Sequence, residues 1–295
     1  MKKTIVGIGE ILWDMLPEGK QLGGAPMNFA YWIKRLGGDA FMVSAVGDDE
    51  FGEEILLRLK NLGLATKFVE KKESYPTGTV DVKIDDDGKP EYIIHENTAW
   101  DSIGWNDGIR YLAEKADAVC FGSLAQRTET SQGTINKFLE STNGNCVKIF
   151  DVNLRQHYYN KKIIESSLDK ASVLKLNDDE LPIIGKMFEL SGGDEKIIRK
   201  LIDEFKLDLV ALTRGSNGSV LVSKNKVSEH PGIKVDIVDT VGAGDSFSAA
   251  VVMGIIQGKA LAEINESANE IAAKVCSNHG GTSSRSRCDR ISAKQ

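Results

Sequence analysis

The sequence predicts an α/β protein, a three-layer sandwich with a mostly parallel central sheet and a small β-hairpin set over it. Strand-like apolar runs alternate with amphipathic stretches over most of the 295 residues, the order that places parallel strands between two layers of helices. One segment breaks the alternation. Residues 79–84 and 91–95 alternate apolar and polar with period two around Asp85-Asp86-Asp87-Gly88, which reads as a hairpin with a strong Asp-Gly turn. No internal repeat or low-complexity tract competes with this reading.

The strand candidates, in order, are residues 4–12, 40–46, 118–121, 147–152, 173–176, 209–213 and 219–222. Each is a short run rich in β-branched or large apolar residues. Residues 26–36, 51–62, 104–115, 130–141, 163–171, 179–188 and 195–205 supply the helices between them. Pro26 suits a first helical turn, where its missing N–H costs nothing. Near the C-terminus a β-branched stretch, 234–238, leads through a small-residue loop into an apolar helical run, 247–256. A last helix over about 261–278 ends at the stop signal Gly280-Gly281-Thr282. The acidic hairpin tip is not a calcium loop, because Lys83 and Ile94 occupy ligand positions.

Composition narrows the function classes. Hydrophobic residues make up 41% and charged residues 27%, ordinary values for a globular chain. A net charge of −6 gives no support to a nucleic-acid or anionic-membrane partner. An anionic substrate would need local positive groups or a metal. No apolar stretch approaches the ~20 residues of a membrane span. Met1 to Val6 runs straight into a strand without a signal-length apolar region. Cys120, Cys146, Cys276 and Cys288 form no C-x-x-C pair, and the first two sit in apolar strand-like runs as reduced core residues. The expected location is cytoplasmic, so the sequons at Asn217 and Asn265 carry no meaning.

The chemistry concentrates in Val238-Asp239-Thr240-Val241-Gly242-Ala243-Gly244-Asp245-Ser246-Phe247. A strand, a Gly-rich turn and a helix start point unpaired backbone N–H groups at the loop, where the helix dipole also favours negative charge. Asp245 sits in the same turn, placed to take a proton from an attacking hydroxyl. An anion cradle beside a base is what phosphoryl transfer requires. The plain alternative is that Asp245 only caps the helix.

Other segments surround that motif. Gly23-Gly24-Ala25-Pro26-Met27-Asn28-Phe29-Ala30 is a second Gly-rich turn opening a helix, and its glycines let a small ligand approach the backbone. Asn28 and Asp14 could bind sugar hydroxyls, or be a polar helix residue and a turn carboxylate. Asp151-Val152-Asn153-Leu154-Arg155 follows a strand, and Arg155 suits a phosphate oxygen. Asn177 and Glu180, three apart at a strand end, could hold Mg²⁺ through water or form a capping box. Thr213 to Gly218 is either a nucleotide contact or a tight hairpin. Walker A and protein-kinase signatures are absent from the sequence, and Gly7-Ile8-Gly9 lacks the third glycine of a dinucleotide fingerprint.

Taken together, these motifs resemble the ribokinase-like, phosphofructokinase B type carbohydrate kinases over nearly the whole length, and bacterial fructokinases most of all. The residues behind the closer likeness are Gly7 to Asp14, Thr77-Gly78-Thr79-Val80-Asp81, Ala99-Trp100-Asp101 and Asp151 to Arg155; Met27 departs from the small residue usual in its motif. The resemblance implies one ribokinase-like domain over 1–295, with a β lid formed mainly by about 10–20 and 75–100. It implies ATP-dependent transfer to a primary hydroxyl, D-fructose giving fructose 6-phosphate. It makes Asp245 the base, Gly242, Ala243 and Gly244 the anion hole, and Arg155 the basic residue near the transferred phosphate. Asp14, Gly24, Asn28 and Trp13 fall to the sugar. Asn177, Thr213, Gly215, Gly218, Asn278 and Gly281 fall to the nucleotide. Asn177 and Glu180 fall to Mg²⁺ through water, and Asp239 and Ser284 to a monovalent cation such as K⁺. Trp13, Met27 and the lid would set the acceptor, so 2-keto-3-deoxygluconate, ribose or a nucleoside stay open, as does a catalytically silent sugar- or nucleotide-binding regulator. The lid either closes over its own subunit or is buried across a homodimer.

Overall fold

The computed structural model of the chain describes residues 2–282 apart from Glu18, residues 85–89 and His279. The N-terminal part runs β1 (Thr4–Ile8), β2 (Leu12–Leu16), β3 (Gly19–Gly23), α1 (Ala25–Arg35), β4 (Asp39–Gly47), α2 (Glu50–Asn61) and β5 (Val69–Lys72). Then come β6 (Gly78–Ile84), β7 (Pro90–Ile94), α3 (Asp107–Lys115), β8 (Ala118–Gly122), α4 (Glu129–Ser141), β9 (Val147–Asp151), α5 (Lys161–Lys170) and β10 (Val173–Asn177). The chain continues through α6 (Glu180–Met187), α7 (Asp194–Phe205), β11 (Leu209–Thr213), β12 (Ser219–Ser223), β13 (Val227–His230), α8 (Ala243–Ile256) and α9 (Leu261–Cys276).

Among the described residues, nine strands form one sheet in the order β13-β12-β11-β10-β9-β8-β1-β4-β5. From β5 to β11 every neighbouring pair is parallel, and β12 and β13 add an antiparallel edge. Both faces are covered, so successive strand residues feed opposite layers. Val6, Ile8, Phe121, Phe150 and Leu174 pack with Ile109, Ile135, Ile164, Leu181 and Ile198 of α3 to α7. Ile5, Met42, Ile149 and Val173 pack with Phe29, Ile55, Phe247 and Ile264 of α1, α2, α8 and α9. This is the predicted three-layer α/β sandwich.

A second sheet, ordered β3-β2-β6-β7, stands apart from the first. It combines the β2–β3 hairpin with the β6–β7 hairpin through a parallel β2–β6 pairing. The Asp-Gly tip read from the sequence lies outside the described residues, as do Ser284 and Cys288.

Three boundaries differ from expectation. The run 4–12 is two strands in different sheets, because Gly9 adopts φ +145° and turns the chain off the main sheet after Ile8. The stretch 234–238 is not a strand. It follows Pro231-Gly232, and the Val238 N–H donates to the Cys276 carbonyl at 2.8 Å rather than to a strand neighbour. The helix expected from Phe247 begins at Ala243, since its first turn faces the site rather than the core. Cys120 and Cys146 are buried free thiols, and burial pushes the Cys146 thiol up to about 12. Among the described residues no helix is long and apolar enough to cross a membrane.

Candidate active site

The candidate residues gather at the carboxyl edge of the main sheet. Glu10 follows β1, Asp14 lies in β2, Asp151 ends β9 with Arg155 in the loop beyond it, Asn177 ends β10 and Thr213 ends β11. Ligands bind at this edge in open α/β sheets. The edge faces the N-termini of α1 and α8.

At the start of α8, Gly242 adopts φ +77° and provides no side-chain cap. A Cβ there would lie 2.5 Å from Gly281 Cα, so the position needs glycine for both conformation and space. The Ala243 N–H donates to the Thr240 carbonyl at 3.2 Å. The turn consumes the Ala243 amide, whereas the amides of Gly242 and Gly244 have no acceptor among the described residues.

Asp245 lies in the first turn of α8 and accepts a hydrogen bond from Asn28 Nδ2 at 2.8 Å. Burial and the nearby Asp151 push its carboxyl up to about 6, against the Asn28 hydrogen bond, Lys175 and Arg155. A carboxyl titrating near 6 is ionised at neutral pH yet basic enough to hold a proton. Asn28 is 3% exposed and its Oδ1 has no partner, leaving a buried acceptor beside Asp245.

The expected sugar side is partly assembled. Gly24 adopts φ +109°, and a Cβ on it would meet the Glu10 carbonyl. Asp14 projects from β2 against Gly23, where a Cβ would collide with its carboxylate. Burial pushes Asp14 up to about 6, with Arg155 opposing and Asp239 adding to the shift. Arg155 itself is exposed, on a loop in which Asn153 (φ +43°) and Gln156 (φ +48°) are both left-handed. Such strain persists where surrounding structure demands it. Two residues expected at the acceptor are buried. Trp13 is 1% exposed and its indole N–H donates to the Phe51 carbonyl at 3.1 Å, while Met27 is fully buried. Both are core, because β2 and α1 turn these faces toward the α1–α2 layer.

The expected metal and nucleotide residues are engaged locally. Asn177 Oδ1 accepts from the Asp179 and Glu180 amides at 3.0 and 2.8 Å. Glu180 returns the bond through Asn177 N–H at 2.9 Å and also accepts from Leu154 N–H at 2.9 Å. The capping-box reading is therefore realised, and each Glu180 oxygen, accepting one hydrogen bond, keeps a lone pair for a further contact. Among the described residues no cluster of three or more His, Cys, Asp or Glu could hold a metal directly. Thr213 to Gly218 closes the β11–β12 hairpin, with Arg214 N–H donating to the Gly218 carbonyl at 2.7 Å. Gly215 (φ +53°) faces open space, whereas a Cβ on Gly218 (φ +80°) would strike the His230 carbonyl. Asn278 Nδ2 donates to the Lys274 carbonyl at 2.7 Å, closing α9. Gly281 packs against Gly242 and Asn28, and its carbonyl accepts from Trp32 Nε1 at 2.9 Å. Asp239 clasps the loops on either side, accepting from Val241 N–H at 2.9 Å and Gly280 N–H at 2.8 Å.

Sequence reasoning missed four polar residues. Glu10, 3% exposed, accepts from Ala25 N–H at 3.3 Å through Oε1 while Oε2 has no partner. Burial pushes its carboxyl up to about 7. Lys175, Asp151 and Ser248 form a buried chain beneath Gly244, with Lys175 Nζ 2.9 Å from Asp151 Oδ1 and Ser248 Oγ 2.9 Å from Oδ2. The available signal was a charge inside an apolar run, Glu10 before Ile11-Leu12 and Lys175 between Leu174 and Leu176.

The sequence pattern of the pfkB family carbohydrate kinases matches residues 18–288. The chain belongs to this family. As a pfkB carbohydrate kinase it falls in the class of ATP-dependent sugar kinases. An uncharacterized sugar kinase of Pyrococcus horikoshii superposes with a TM-score of 0.85 at 28% identity, over 99% of this chain and 98% of that one. The same Pyrococcus protein is also known in complex with ATP, with a TM-score of 0.82. A fructokinase of Salmonella typhimurium is 28% identical over 267 residues, covering 86% of this chain and 85% of its own. A Vibrio cholerae fructokinase holding fructose, ADP and calcium shares the fold, with a TM-score of 0.79 at 20% identity over 95% of each chain. These likenesses are to ribokinase-like sugar kinases, the fold expected from the motifs.

Proposed function

We propose that this pfkB kinase transfers the γ-phosphoryl of ATP to a primary hydroxyl of D-fructose, giving fructose 6-phosphate. The observation that carries the transfer chemistry is the turn at the start of α8, where a buried carboxylate stands beside two uncommitted amides. The likeness to bacterial fructokinases supports the acceptor.

Asp245 accepts the proton of the attacking hydroxyl, and Asn28 orients its carboxylate from the α1 side. The Gly242 and Gly244 amides, with Arg155, stabilise charge on the phosphoryl oxygens. Asp14, Gly24 and the free Asn28 Oδ1 bind acceptor hydroxyls. The β11–β12 turn, with Thr213, Gly215 and Gly218, faces the nucleotide. ATP with Mg²⁺ would supply the activated phosphoryl group, and Asn177 and Glu180 would hold the ion through water. A K⁺ ion beside Asp239 belongs to the same proposal, tested by comparing turnover in K⁺ and Na⁺ buffers. The second sheet acts as a lid that excludes water from the transfer, over its own subunit or across a homodimer. The buried free thiols fit a cytoplasmic place of action.

The test is ADP release with ATP and Mg²⁺ across fructose, ribose, 2-keto-3-deoxygluconate, adenosine and fructose 6-phosphate. Fructose should give the highest kcat/KM. Asp245→Asn should lower kcat by about 10²–10⁴ and leave ATP affinity within a few-fold. Preference for another acceptor would keep the transfer and replace the substrate. Near wild-type turnover of Asp245→Asn would remove Asp245 from the role of base.

A further inference from the structure

Beneath the α8 turn lies a charged chain that the transfer reading does not use. Lys175, in the middle of the apolar strand β10, is 6% exposed, Asp151 at the end of β9 is 3% exposed and Ser248 in the second turn of α8 is fully buried. Lys175 Nζ donates to Asp151 Oδ1 at 2.9 Å and Ser248 Oγ donates to Oδ2 at 2.9 Å. A Cβ on Gly244 would sit 2.8 Å from Lys175 Nζ, so the ammonium is packed against the underside of the loop. Lys175 makes no other hydrogen bond among the described residues, which leaves two donors beside Gly244. A buried ion pair is a costly way merely to join two strands, since apolar residues of similar size do that at least as well.

We propose that Lys175 is a positioning residue for phosphoryl transfer: packed under Gly244 and tied through Asp151 to Ser248, it holds the 242–245 turn in register and offsets the negative charge that builds there. A side chain at Gly244 would press on the ammonium and force Lys175 to shift. The charge argument follows from what surrounds Asp245. Asp151 from β9 and Glu10 from the turn after β1 repel its negative form, while Lys175 from β10, Arg155 from the β9 loop and Asn28 from α1 favour it. The Cys120 thiol of β8 also lies within this field. Lys175 is the buried cation of the group. It keeps Asp151 from forcing a proton onto Asp245, and burial does not neutralise it because Asp151, Glu180 and Asp245 favour its charged form.

This inference rests on the phosphoryl-transfer reading, so the experiment separates the two. The Asp245 carboxyl is titrated by ¹³C NMR in the substrate-free protein, identified by its loss in Asp245→Asn, and compared in Asp151→Asn and Lys175→Met. Asp151→Asn keeps the size and removes a negative charge; its Oδ1 can still accept from Lys175 while its Nδ2 donates to Ser248 Oγ, reversing that bond, and it should lower the Asp245 midpoint. Lys175→Met should raise it. Steady-state kinetics with the acceptor that wild type turns over should show kcat of Lys175→Met down on the order of tenfold or more, with KM for ATP within threefold. A purely structural pair predicts no opposed shifts. Midpoints unmoved, or moved in one direction by both variants, would overturn the proposal, as would a kcat within twofold of wild type. If Lys175→Met does not fold, Asp151→Asn decides: a lowered midpoint supports it and an unmoved one overturns it. Absence of wild-type turnover with every acceptor would count against the transfer reading, while the titration still tests the charge coupling.

Discussion

Replacing Gly242 by alanine tests whether the α8 turn works through a fixed backbone. The residue sits at φ +77°, where an L side chain costs about 1–2 kcal/mol. The new Cβ would lie 2.5 Å from Gly281 Cα, about 1 Å inside ordinary contact. Gly281 yields poorly, because Trp32 Nε1 holds its carbonyl at 2.9 Å and Asp239 holds the Gly280 amide at 2.8 Å. The 242–244 segment must therefore move by a comparable distance. A shift of that size costs on the order of 10² in rate, and a lost anion-hole donor costs about 10²–10³. The control is Gly258→Ala, at the other end of the same helix, where φ is +68° and nothing lies within 4 Å. It carries the strain without the collision. Coupled ADP-release kinetics and thermal melts on both variants separate the effects. Both should lose about 1–2 kcal/mol of stability to the backbone strain, and only Gly242→Ala should lose kcat by two orders of magnitude. A folded Gly242→Ala turning over within threefold of wild type would refute the argument.

The remaining predictions concern protons and packing. Glu10, Asp14 and Asp245 are raised to about 7, 6 and 6 from ordinary values of 4.5, 3.8 and 3.8. The folded state thus binds these protons more tightly than the unfolded one, so their contribution is complete below about pH 4 and is lost as pH rises through 6–7. Glu10→Gln should become steadily more stable than wild type between pH 4 and 8, by about 3 kcal/mol in total; a constant difference in Tm would contradict this. Trp13→Phe should cost about 1–3 kcal/mol by stranding the Phe51 carbonyl, with acceptor KM unchanged; a tenfold rise in KM without a change in Tm would return Trp13 to the pocket. Arg127 holds Asp101 with two 2.7 Å hydrogen bonds and the His95 carbonyl with another at 2.6 Å, joining the end of β7 to the main body. Arg127→Ala leaves Asp101 buried and unpaired and should cost about 3–5 kcal/mol in urea unfolding; a cost below about 1 kcal/mol would show that water reaches the carboxylate.

What the sequence showed and concealed follows from how far each signal reaches along the chain. The strand and helix runs were legible because burial on both faces of a parallel sheet imposes apolar stretches that need no partner to be recognised. The 234–238 segment misled for the same reason: Lys234-Val235-Asp236-Ile237-Val238 has strand composition, but Pro231 and the α9 carbonyl of Cys276 decide its path. The α8 turn was readable as a site because glycines, a carboxylate and a helix start coincide within a few residues. The burial of Trp13 and Met27 was not legible because nothing local says which way β2 and α1 rotate their side chains. Asn177 and Glu180 admitted two readings, and only the Leu154 amide, 26 positions away in sequence, shows how Glu180 is engaged.

By itself the sequence determined the layered α/β class, the period-two hairpin and the glycine-rich turn beside Asp245. All are written in spacing, turn chemistry and helix-start residues, which act over one to ten positions. The tertiary structure decided that Asn28 meets Asp245 across 217 positions, that Lys175 and Asp151 lie under Gly244, and that Glu10 is buried beside them. The physical reason is burial. A carboxylate or ammonium takes its protonation state and its partners from the groups that replace water around it, and those groups come from strands and helices distant in the chain.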